Sequence, residues 1–106
     1  MLKLKNGVKA KDLQPQTVLA IAVVNDIYSK YEYDCVVTSL NDSKHSEKSL
    51  HYSGFAADFR MNNVHEVDQK KITQLAKENL GGEYDVLLES VGTVNAHLHV
   101  EYDPKY

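Results

Sequence analysis

Between residues 15 and 31 the apolar positions Val18, Leu19, Ala22, Val23, Ile27 and Tyr31 recur three or four apart, the spacing of one helix face. Pro15 suits a first helical turn, because its missing N–H has no partner to lose there. The spacing predicts a helix over residues 15–31. The pattern then changes period. Residues 34–40 are short and β-branched, a predicted strand, and residues 41–49 are polar without a period, a predicted loop. Over residues 55–61 a strand is predicted in which Phe55, Ala57 and Phe59 face one way and Ala56, Asp58 and Arg60 the other. Residues 1–13 alternate weakly and suit a short strand or an ordered arm.

Helical spacing returns over residues 64–80, with Ile72, Leu75, Ala76 and Leu80 on one face and Gly81-Gly82 as its stop. Asn63, with Glu66 three residues on, resembles a capping box. Strands are predicted over residues 84–89 and 96–102, joined by a turn around Gly92. In the last strand His97, His99 and Glu101 share a face opposite Leu98, Val100 and Tyr102. This order of elements implies an α+β fold, a small antiparallel sheet with the helices on one face. The other face would then carry Asp58, His97 and His99.

A chain of 106 residues suits one domain with a single modest core, here residues 1–106. A net charge of −3 offers no basic footprint, so neither nucleic acid nor an anionic membrane is an expected partner. The longest apolar run, residues 18–24, is too short to span a bilayer. Residues 1–5 lack the apolar stretch and cleavage site of a secretory signal, so synthesis in the cytoplasm is expected. Cys35 is alone, which rules out an internal disulfide and suits a buried strand residue. The oligomeric state is not legible, and a monomer is the default expectation.

Three of the five histidines fall in two short segments, Ser49-Leu50-His51-Tyr52-Ser53-Gly54-Phe55-Ala56-Ala57-Asp58 and His97-Leu98-His99. A catalytic zinc is held by three side chains and keeps a fourth position for water. His51, Asp58 and His99 supply two nitrogens and one oxygen from elements that one sheet can bring together. His97 precedes His99 by two residues, so both imidazoles leave the same strand face about 7 Å apart. Glu89 ends the preceding strand, where it could orient His97 or accept a proton from water. Arg60 continues the Asp58 face and suits either a substrate carboxylate or a strand-edge ion pair. His45 in the polar loop could line a cleft or simply be solvated, and Ser49 could hydrogen-bond near the ligands. His65, at a helix start, reads as a surface residue.

Ser49-x-His51-x-x-Gly54-x-Ala56-x-Asp58 followed by His97-x-His99 resembles the zinc D-Ala-D-Ala carboxypeptidase family, especially its short phage-borne members. That family is related to the lysostaphin-type peptidases and the hedgehog signalling domain. The resemblance spans roughly residues 36–103. It implies a small antiparallel sheet with flanking helices, Zn²⁺ held by His51, Asp58 and His99, and His97 as general base or oxyanion stabiliser. The implied substrates are peptidoglycan stem peptides, cut near D-amino acids at the cell wall by a bacterial or phage-borne hydrolase of endolysin type.

The pattern departs from the family in residues 38–42, Thr-Ser-Leu-Asn-Asp, where many members carry an Arg that helps bind substrate. Lys44 is the nearest cation, which leaves both carboxypeptidase and endopeptidase activity open. Two other readings stand beside the enzyme: a non-catalytic zinc-binding module, such as a phage virion component, and a small structural protein without metal.

Overall fold

A computed structural model describes residues 1–9, 13–41 and 56–103 of the chain. The elements run β1 (Leu2–Leu4), α1 (Pro15–Lys30), β2 (Cys35–Asn41), β3 (Ala56–Arg60), α2 (Glu66–Leu80), β4 (Tyr84–Glu89) and β5 (His97–Tyr102). The five strands form one sheet in the order β1-β2-β3-β5-β4. The fold is α+β, with a mixed sheet and two helices. Three of the four pairings are antiparallel, but β1 pairs parallel to β2, with Leu2 opposite Cys35 and Leu4 opposite Val37. The expected wholly antiparallel sheet is corrected there. Parallel neighbours require a long crossover, and α1 supplies it, which turns the N-terminal arm into the first strand of a β-α-β unit.

Strand parity sorts the sheet into two faces. Cys35, Val37, Ala57, Phe59, Val86, Leu98, Val100 and Tyr102 are buried and share one core with Ala20, Ile21, Val24, Ile27 and Tyr28 of α1 and Ile72 and Ala76 of α2. Both helices therefore cover the same face, as the alternation over residues 56–60 and 97–102 predicts.

The phase of α1 differs from the prediction. Its buried positions are Thr17, Ala20, Ile21, Val24, Ile27 and Tyr28, while Val18 and Leu19 are 53% and 55% exposed. The apolar run of residues 18–24 covers nearly the whole helix circumference, so periodicity alone leaves the rotation open, and the fit against the sheet decides it. Tyr28 contributes to that fit by donating its hydroxyl to the carbonyl of Arg60 at 2.8 Å. Burial raises the pKa of this phenol, which keeps it a donor.

The start of α2 is also corrected. His65, not Asn63, is the N-cap, and its Nδ1 accepts from the Val67 N–H at 3.3 Å. Asn63 instead donates to the Asp34 carbonyl. Gly81 closes the helix at φ 84°, as expected of a glycine stop. Gln69, buried within α2, donates to the carbonyls of both Met61 and Val64 and so ties the helix to the end of β3. Gly92, at φ 76°, forms the β4–β5 turn, where a side chain would collide with Glu66.

Candidate functional site

The candidate residues on β3, β4 and β5 meet on the sheet face that the helices leave open. β3 and β5 are adjacent, and their register sets Asp58 opposite His99 and Arg60 opposite His97. Glu89 of β4 lies opposite His97 on its other side. Four of the residues singled out from sequence thus occupy two rungs of the two central strands, flanked by β2 and β4. Their backbones are held on both sides by ladder hydrogen bonds, which preorganises them.

His99 Nδ1 donates to Asp58 Oδ1 at 2.8 Å, and His99 Nε2 lies 3.3 Å from Glu101 Oε1. The Asp58 and His99 side chains are 29% and 23% exposed, sheltered yet reachable from solvent. Desolvation works against the charged imidazole, but the hydrogen bonds to Asp58 and Glu101 outweigh it and raise the pKa of His99. His97 is held at both nitrogens as well, Nδ1 to the Asn95 carbonyl at 2.8 Å and Nε2 to Glu89 Oε1 at 3.0 Å. The Asn95 carbonyl is the main cause of a raised His97 pKa. Its contact comes from two residues earlier in the chain and fixes the ring. The Glu89 carboxylate in the other contact is 48% exposed, so this pair is screened by solvent.

Asp58 is distinguished by its backbone surroundings. The β2–β3 register shifts between Val37 and Ser39, leaving an irregularity at Thr38 on the strand beside Asp58. Thr38 Oγ1 donates to the Asp58 carbonyl at 3.3 Å. Such bulges re-aim side chains and recur beside active sites. Next to it lies an open depression of about 280 Å³, lined by Lys5, Thr38, Asp58, Arg60, Asn62, Asn95 and His97, with Val94 at its rim. A larger hollow of about 600 Å³ runs along β4 past Lys77, Asp85 and Leu87 and touches the cluster through His99 and Glu101.

His45, Ser49 and His51 lie outside the described residues, so of the predicted ligand set Asp58 and His99 are described. Among the described residues no group of three His, Cys, Asp or Glu side chains is arranged to hold a metal ion. The reason is geometric: Asp58 and Glu101 address opposite nitrogens of His99 and do not converge. The donor chemistry of the Asp58–His99 pair nonetheless fits zinc, since one carboxylate oxygen and one imidazole nitrogen already face each other on neighbouring strands. An ion held by these two side chains would take the place of the proton they share. Glu101 would then serve as the carboxylate that orients the ligating imidazole from its far side.

Thr38 and Lys5 were not legible as site residues. The Thr38 irregularity depends on pairing with β3, and Lys5 reaches the depression through the parallel pairing of β1, which carries no local sequence signal. Comparison of the chain with protein-family models, with curated proteins and with solved structures finds no match.

Proposed function

We propose that this chain is a zinc-dependent peptidase that hydrolyses peptidoglycan stem-peptide amide bonds near D-amino acids, akin to the zinc D-Ala-D-Ala carboxypeptidases. The observation that carries the reading is the direct contact of Asp58 with His99 on the open sheet face. These are the two described members of the ligand set that the motif resemblance implies, 41 residues apart in sequence. His51, Asp58 and His99 would hold the ion. When bound, it supplies a Lewis acid that polarises the scissile carbonyl and lowers the pKa of its water.

The chain's own residues account for the remaining chemistry. His97 leaves the same strand face as His99, borders the depression, and exchanges protons with the attacking water and the departing amine once it releases Glu89. Glu89 holds the ring oriented between turnovers and can take up the water proton. Water adds across the C–N bond, giving a carboxylate and an amine. The depression beside Asp58 is open among the described residues, and a non-catalytic zinc module would favour a filled one.

The test joins metal analysis to digestion. Protein purified without chelators is expected to carry about one zinc per chain and to release peptides from purified sacculi. His99→Ala is expected to lose both. Absence of peptide release by zinc-loaded wild type would overturn the enzymatic reading, and sub-stoichiometric zinc would overturn the metal site.

A further inference from the structure

Two cations border the depression beside Asp58 and His97, and neither has an acidic partner among the described residues. Arg60 is two residues along β3 from Asp58 and forms no ion pair there. Lys5 follows β1, and its backbone N–H donates to the Val37 carbonyl at 2.9 Å, so the chain at Lys5 is fixed beside the Thr38 irregularity. Lys3, one outward-facing position earlier, behaves differently: its ammonium is 3.0 Å from Asp34 Oδ2. The cation farther from the depression is neutralised by Asp34, and the two that line it have no such partner among the described residues.

Lys5, Thr38, Arg60 and His97 thus cross four adjacent strands, β1 through β5 by way of β2 and β3, around one concavity. Asn62 lines the same wall but spends its amide on the Val94 carbonyl at 2.9 Å, which braces the rim. A concavity lined by two cations without an acidic partner among the described residues and by one oriented imidazole, with Asp58 engaged by His99 at its edge, suits an anion. A planar carboxylate suits the guanidinium fork of Arg60, with the Lys5 ammonium as the second charge.

We infer that Lys5 and Arg60 form a carboxylate clamp beside the Asp58–His99 pair, selecting peptides with a free carboxylate next to the bond to be cut. The inference rests on the peptidase reading for the identity of the bond, but the clamp itself is a binding property of the face. It supplies from β1 and β3 the anion recognition that residues 38–42 lack. The carboxylate has two possible sources, a chain terminus or an acidic side chain. A terminus would make the enzyme a carboxypeptidase, a side chain an endopeptidase.

The test measures binding by isothermal titration calorimetry to the metal-free and the zinc-loaded protein. The probes are a stem-type pentapeptide containing D-Glu and ending in D-Ala as the free acid, its C-terminal amide, and the free acid with D-Gln replacing D-Glu. One of the two neutralisations is expected to weaken binding about fivefold, the upper range for one partly exposed ion pair. Amide sensitivity identifies a terminus, and D-Gln sensitivity a side chain. Lys5→Ala and Arg60→Gln should each lower affinity for the acid by a similar factor and erase its advantage over the neutral probe. Circular dichroism checks that both variants fold. Equal affinity for all three probes, or full affinity in both variants, overturns the clamp. Charge-selective binding without hydrolysis keeps the clamp and removes the peptidase reading; hydrolysis without charge selection does the reverse.

Discussion

Asp58 and Phe59 are consecutive residues of β3, and Leu98 and His99 are consecutive residues of β5, yet the two faces they define obey different rules. Phe59 and Leu98 are fully buried and opposite each other, beneath the helices. Asp58 and His99, also opposite each other, meet through one polar contact within reach of water. On the inner face identity is set by volume and apolarity, because a void or an uncompensated polar atom costs stability there. On the outer face it is set by charge, donor geometry and access. One pleated pair of strands therefore holds stability and candidate chemistry a single residue apart, with little energetic overlap between them.

The separation can be tested from its strongest side. Phe59→Ala is expected to lower unfolding free energy by about 3–5 kcal/mol, the cost of emptying an aromatic core site. Urea titration of the metal-free protein measures it, and a loss below 1 kcal/mol would mean that the inner face is not the core. Asp58→Asn addresses the outer face: zinc affinity should fall at least about a hundredfold, more than the usual effect of an orienting partner. The metal-free variant should unfold within about 1 kcal/mol of wild type, since the group is partly solvated. If zinc affinity stays and stability collapses, the two faces are not separable.

Two smaller effects sharpen the contrast. Cys35 is buried opposite Leu2, and burial pushes its thiol pKa up to about 12. Cys35→Ser is expected to cost about 2 kcal/mol, because the hydroxyl has to be desolvated in an apolar site. The thiol of the wild type should react with Ellman's reagent only on unfolding. Its neighbour Asp34 is exposed, and its hydrogen bond from the Lys3 ammonium holds its carboxyl below the ordinary value of 3.8. A folded-state pKa below the unfolded one means that the unfolded chain binds more protons in that window. The contribution is complete above the ordinary value and fades as pH falls through the depressed one. Asp34→Asn should flatten the acid limb of stability against pH, and identical limbs would show that the pair contributes nothing.

What the chain disclosed by its pattern follows the same division. Parity over residues 56–60 and 97–102 assigned Asp58, Arg60, His97 and His99 to one face because period 2 is a local property. The turn at Gly92 and the stop at Gly81 were legible for a similar reason, positive φ being a local demand that glycine meets. The rotation of α1 was not, since a helix apolar around most of its circumference has no unique inner face. Nor was the cap at His65, because an imidazole accepting from the backbone falls outside the Ser, Thr, Asp and Asn pattern. Parallel pairing of β1 and the Thr38 irregularity arise between segments distant in sequence, and both bear on the site. The pairing of Asp58 with His99 was foreseeable only as a possibility, since adjacent strands can carry two ligands without bringing them opposite each other.

The extra residue that β2 holds at Thr38 makes tolerance to a change of length depend on position along that strand. Beyond the irregularity Leu40 still turns inward, opposite Ala57. Deleting Thr38 would heal the ladder and leave Ser39 outward and Leu40 inward, since each keeps its partner on β3, but it would take from the outer face the hydroxyl that reaches the Asp58 carbonyl. An insertion or deletion beyond Ser39 would instead turn Leu40 out of the core, so that the strand should tolerate a change of length at Thr38 and resist one two residues later.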